Sequence, residues 1–220
     1  EEASVLGGEE LSRTGASEAR LVGLAKKKNK SVNELTEDDF KDDESGKRIF
    51  KFNRDYLEGI DSAIDAQLSN NQENLGMARD NAIKNGATSL DEARKDADFG
   101  KSYSEREGLL EAKFSRRRAK NSSQIQSNVS AMQATDKYGR QVLSTEEITN
   151  KTAENEALKK QNTQSVTNEE NALADFKLGQ KQMFDAAGKA ADAQKAAAEA
   201  ALAAAEKLDK ISDFEIQLDV

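Results

Sequence analysis

The residues that could do chemistry are few, and each falls short of the pattern its chemistry needs. Gly100-Lys101-Ser102 resembles the end of a phosphate-binding loop, in which backbone N–H groups cradle the phosphates and the lysine reaches the outer ones. That loop needs a glycine five positions earlier, and position 95 is Lys95. No strand pattern precedes it, so the segment reads as a helix surface. The acidic stretch at 37–44, with Asp38-Asp39 and Asp42-Asp43-Glu44, lacks the alternating ligands, central glycine and closing glutamate of a calcium loop. It reads as a solvated charge run. Carboxylate pairs occur throughout, but acid/base work by two carboxylates needs a concave site that raises one pKa.

The absences exclude more than the motifs suggest. There is no Cys and no His among the 220 residues. Thiolate nucleophiles, imidazole bases, disulfides and the common zinc and iron–sulfur ligand sets are therefore excluded. The sequence predicts no catalytic residue, no cofactor and no metal, and the protein is read as a non-enzyme.

Two basic clusters could dock on an anionic surface. One is Lys26-Lys27-Lys28, followed by Lys30; the other is Arg116-Arg117-Arg118, followed by Lys120. Against nucleic acid stand a net charge of -8 and the lack of aromatic residues interleaved with the basic ones. Asn29, Asn121, Asn128 and Asn150 each begin an N-glycosylation triplet, a frequency expected by chance in a chain this rich in Asn, Ser and Thr.

The elements that would position these groups follow from composition. A chain of this length would carry roughly eleven prolines at average usage, and it has none. Uninterrupted helices are the consequence. Leu, Ile, Val and Phe together make 41 of 220 residues, about 19%. That is close to the level below which a chain cannot bury enough apolar surface to fold alone. With 32 alanines the chain is a strong helix former with thin apolar seams. No apolar run approaches the roughly 20 residues that span a bilayer. The first residue is Glu rather than Met, as a processed terminus or a partial chain would give; a virion-internal or exported location fits this start and the lack of Cys.

Residues 1–48 differ from the rest in carrying Gly7-Gly8, Gly15, Gly23 and Gly46 beside charge runs of both signs. They predict a flexible or partner-ordered N-terminal arm with two short helical turns, one using Leu21, Val22 and Leu24, the other opened by the capping box Ser31-Val32-Asn33-Glu34. Residues 49–143 predict a helical hairpin. Phe52, Tyr56, Ile60, Ile64 and Leu68 recur every four residues and lead to Leu75, Ala78 and Ala82, giving one helix over about 48–84. Asn85-Gly86 closes it, and Ser89-Leu90-Asp91-Glu92 opens the next, which is expected to kink or break near Gly100 to Gly108 before Leu110, Phe114, Ile125, Val129 and Met132.

Ser144-Thr145-Glu146-Glu147 opens a long C-terminal helix over 144–211. Its heptad seam runs through Leu173, Phe176, Gln180, Met183 and Ala187 to Leu208 and Ile211 in unbroken three-then-four spacing. Upstream the same register meets Glu169, Asn162 and Asn155, where pairing is poorly specified. At 212–220, Phe214, Ile216, Leu218 and Val220 alternate with Asp213, Glu215, Gln217 and Asp219, a strand pattern that could add to another protein's sheet edge.

The predicted fold is all-α: an elongated helical hairpin or coiled-coil-like rod, with the flexible arm at one end and a short strand-like tail at the other. Leu173, Phe176, Met183, Leu208, Ile211, Phe214, Ile216 and Leu218 are the predicted partner contacts; Lys26, Lys27, Lys28, Arg116, Arg117 and Arg118 are the predicted docking charges. In composition the chain resembles internal, scaffolding or ejected virion proteins of bacteriophages and exported coiled-coil proteins, without sharing a defined motif. The resemblance implies a non-catalytic structural subunit of a large assembly whose partners are other protein subunits, copies of itself included. The alternative is a helical adaptor docking electrostatically on a larger complex, a membrane-bound energy-transducing one for example, by peripheral contact.

Overall fold

The computed structural model describes the backbone of residues 8–218 and the side chains of residue 10 and residues 12–207. The protein is all-α. Five α-helices follow in order: α1 (Gly8–Lys28), α2 (Glu44–Lys84), α3 (Leu90–Ala93), α4 (Ala97–Met132) and α5 (Thr145–Leu218). Among the described residues the only extended pairing is the isolated bridge between Thr135 and Gln141. No helix among them is long and apolar enough to cross a membrane. The chain divides into two compact units, Glu1–Glu73 with Ser104–Ala174, and Asn74–Tyr103 with Asp175–Val220.

In the first unit α1 presents Thr14, Ser17, Leu21 and Leu24 at three-then-four spacing with Ala25 beside Leu24, and all five are buried. Asn29 closes the helix in the left-handed conformation (φ 53°), which lets the Lys30 N–H reach back to the Ala25 carbonyl at 3.0 Å. Two short 3-10 turns, Val32–Glu34 and Glu37–Phe40, then bring Leu35 and Phe40 into a core with Leu21, Leu24, Phe50 and Leu57. The Phe40 and Phe50 rings stack with centroids 5.4 Å apart. Leu21, Leu24, Ala25, Leu35 and Phe40 thus pack within this unit, in the segment where the sequence predicts a flexible or partner-ordered arm. Gly15, Gly23 and Lys26 to Lys28 lie on the outer face of α1, whereas Gly46 is buried against Phe40.

The buried face of α2 in this unit runs Phe50, Asn53, Leu57, Ile60, Ile64, Leu68, and Leu109 of α4 packs against its far end. Phe52, expected to head this face, is 62% exposed and stacks on Tyr56. A strict spacing of four drifts off a 3.6-residue helix, so the start of the predicted stripe, Phe52 and Tyr56, turns away while Ile60 through Ala82 stay on the buried side.

The second unit is built around aromatic rings. Phe99, Tyr103 and Phe184 are buried and Phe176 is half-buried; Phe184 meets Phe99 edge to face (5.2 Å, 80°), and Phe176 lies 4.8 Å from Tyr103. Leu75, Ala78 and Ala82 of α2 and Ala93 of α3 complete the cluster. Gly86 (φ 97°) ends α2, and the Ser89 side chain caps α3 by accepting from the Glu92 N–H at 3.3 Å. The expected break near 100–108 falls earlier, at residues 94–96, and α4 runs without interruption from Ala97. Gly100, in the first turn of α4, lets the helix close against residues 94–96, because a Cβ there would come within 2.6 Å of the Arg94 carbonyl oxygen. Gly188 of α5 similarly admits the Thr88 carbonyl, 3.0 Å from where its Cβ would stand.

Helix α5 begins with a complete capping box, the Ser144 N–H donating to Glu147 at 2.7 Å and the Glu147 N–H to Ser144 Oγ at 3.2 Å. Its backbone is helical through Leu218. This corrects the strand expected over 212–220, as far as the described residues reach. A lone strand without a sheet edge leaves its N–H and C=O groups unpaired, whereas helix continuation pairs them within the segment.

Replacing Phe40 with Ala is expected to cost about 3–5 kcal/mol of the first unit's stability, the range for a buried phenylalanine. Urea unfolding of the full chain measures it. An unchanged midpoint would show that residues 29–43 do not belong to the fold.

Candidate functional site

In the first unit α4 and α5 meet through side chains that hydrogen-bond, and few of them are apolar. Asn128 Nδ2 donates to Asn155 Oδ1 at 2.9 Å, Asn121 Nδ2 donates to Asn162 Oδ1 at 2.9 Å, and Arg118 pairs with Glu169. Between these, Gln124 donates to Glu154 at 3.2 Å and to Asn128 at 3.3 Å. The order is antiparallel: numbers fall along α4 as they rise along α5. Asn128, Ser127, Gln124, Asn155 and Ser165 are all buried. Asn155, Asn162 and Glu169 are the positions where the heptad register turned polar, and the structure makes them a ladder with a defined partner at each rung. The apolar residues expected on this part of α4 are only half-buried (Ile125) or exposed at 36% (Val129).

The ladder also anchors the N-terminal turns. Gln124 Oε1 accepts from the Asn33 N–H at 3.0 Å, Ser127 Oγ donates to the Lys30 carbonyl at 3.3 Å, and buried Lys151 Nζ donates to Glu34 at 3.0 Å. Burial pushes the Glu34 carboxyl up, but hydrogen bonds from the Ser31 backbone and from Lys151 outweigh it and hold it below the usual glutamate range. Asp39 is held low in the same way: the Lys30 ammonium and the Thr36 N–H outweigh partial burial.

Of the predicted docking charges, Arg116 and Arg118 are used internally. Arg116 is buried and pairs with Glu18, its Nε standing 3.1 Å from Asp61 Oδ1; Arg118 pairs with Glu169. Arg117, Lys26, Lys27 and Lys28 are exposed, and Lys28 Nζ lies 5.0 Å above the Phe40 ring. Sequence reading had no means of separating Arg116 from Arg117, because the acids that claim Arg116 lie on α1 and α2.

Of the predicted partner contacts, Phe176 belongs to the aromatic core of the second unit and Leu173 is half-buried. Met183 is 46% exposed with Arg79 against its sulfur, and its neighbour Phe184 takes the buried place. The side chains of Leu208, Ile211, Phe214, Ile216 and Leu218 lie outside the described residues. Beyond Gly188, every residue from 189 to 207 is exposed. Comparison with family models, curated proteins and solved structures finds no match.

Two measurements test the ladder. Replacing Asn155 alone with Leu strands buried amides and is expected to cost about 1–3 kcal/mol, whereas Asn128→Leu with Asn155→Leu should recover most of it. Equal costs for the single and double variants would show that the rung does not couple the helices. For Glu34 the folded value lies below the unfolded one, so its contribution is present above the ordinary glutamate range and is lost as pH falls through the folded value. Urea midpoints should therefore drop on acidification, and less steeply in Glu34→Gln; parallel profiles would remove Glu34 from this role.

Proposed function

We propose that this protein is a non-catalytic structural subunit of a large protein assembly and packs its long helices on neighbouring chains in coiled-coil fashion. The observation that carries the reading is the 19-residue stretch 189–207 of α5, exposed at every position. At 3.6 residues per turn this is about five turns. One half of its circumference is alanine except for Gln194, while Asp192, Lys195, Glu199 and Glu206 occupy the other half. A helix sorted in this way allows another backbone to approach closely. The gain per residue is small, since an alanine methyl buries little area at about 25 cal/mol per Å², so a stable contact requires the full length. The chain's composition points to the interior of a phage virion as the class of assembly.

The adaptor reading is weaker. It relies on clustered free charge, and the internal ion pairs of Arg116 and Arg118 leave Arg117 and the α1 lysines to supply it.

Sedimentation velocity of the full chain over a wide dilution series tests the proposal, with circular dichroism as control. The parent chain should associate with rising concentration, and Ala197→Glu with Ala201→Glu should weaken association about tenfold or more at unchanged helicity. A chain that stays monomeric throughout, or a double variant that associates as well as its parent, overturns it.

A further inference from the structure

A cavity of about 180 Å³ lies within the first unit, between α1, the turn at Val32–Glu34, α2 and α4. Its apolar lining comes from Leu21, Val32, Leu35, Phe50 and Leu57. An apolar cavity of about 150 Å³ takes a benzene-sized molecule, so this one has room for a branched aliphatic group and part of a polar head.

The rest of the wall is polar, Asn33 and Ser123 beside six charged residues whose signs balance. Glu18, Glu58 and Asp61 face Arg54, Arg116 and Lys120, three charges of each sign. Arg54 is tied to Glu58 at 2.9 Å, and Arg116 is held by Glu18 with Asp61 beside it. The Arg116 side chain is only 7% exposed, and its Nε, although 3.1 Å from Asp61, makes no aligned hydrogen bond. Lys120 is exposed and has no carboxylate partner among the described residues. An entering anion or cation would add an uncompensated charge to this half-buried wall, at a desolvation cost. A zwitterion adds none, and it offers each sign of the wall a partner.

We propose that the cavity binds a small aliphatic amino acid. Its side chain packs on Leu21, Leu35, Phe50 and Leu57; its carboxylate faces Lys120, and its ammonium group faces Asp61 and Glu58. The site lies in the first unit and is independent of α5 association. Saturation-transfer NMR and calorimetry on the full chain test it with leucine, with 4-methylpentanoate, which lacks the ammonium, and with isoamylamine, which lacks the carboxylate. Leucine should bind saturably and each analogue about tenfold more weakly or worse, a difference of about 1.4 kcal/mol. Lys120→Ala, at an exposed position, should weaken leucine about tenfold, and Val32→Phe, which fills the cavity, should abolish binding with the urea midpoint retained. Analogues that bind as well as leucine would overturn the charge argument. Leucine binding indifferent to both variants, or no saturable binding into the millimolar range, would overturn the site.

Discussion

Burying an amide without a hydrogen-bond partner is costly, and in the first unit that constraint fixes how α4 and α5 meet, beside the apolar clusters that join α1, α2 and α4. An unpaired amide costs about 1–3 kcal/mol. Asn128, Gln124 and Asn155 are buried side by side, so α4 and α5 can meet only in the register that pairs each donor with an acceptor. The same network reaches the backbone of Asn33 and the carbonyl of Lys30, and through Lys151 it reaches Glu34. The N-terminal turns are therefore positioned by groups far away in sequence. Leu35 and Phe40 enter the core because those turns are held.

The two units solve the shortage of large apolar residues differently. The second concentrates rings: of eight Phe and three Tyr in the chain, Phe99, Tyr103, Phe176 and Phe184 pack together there. Aromatic side chains bury the most area per residue, and their edge-to-face contacts add to it. The first unit mixes a modest apolar cluster with ion pairs and amides. Arg116, held between Glu18 and Asp61, ties α4 to α1 and α2, and it would be costly to bury with either acid missing.

Helical character, the C-terminal end of α2 and the start of α5 were legible in sequence, since proline absence, Asn85-Gly86 and the capping box Ser144–Glu147 are local signals. The α2 stripe from Ile60 to Ala82 was legible because its helical spacing is also a local signal. What could not be read depends on distant partners. Nothing in the segment around Phe40 says that Phe50 and Leu57 wait for it. The seam positions Asn155, Asn162 and Glu169 were placed correctly, but polar residues carry no hydrophobic signal, so their pairing with Asn128, Asn121 and Arg118 was invisible. The shift from Met183 to Phe184 arises because contact with the ends of two other helices is too short to impose a heptad.

The ladder has a thermal consequence. Exposing apolar surface raises heat capacity and exposing polar surface lowers it. Separating α5 from α4 in the first unit uncovers amides, hydroxyls and charged groups with few methyls among them, so the two contributions nearly cancel. The strength of that contact therefore changes almost linearly with temperature, without the pronounced curvature and cold weakening that the aromatic cluster of the second unit carries. Within one chain, one contact keeps its grip on cooling while the other loosens.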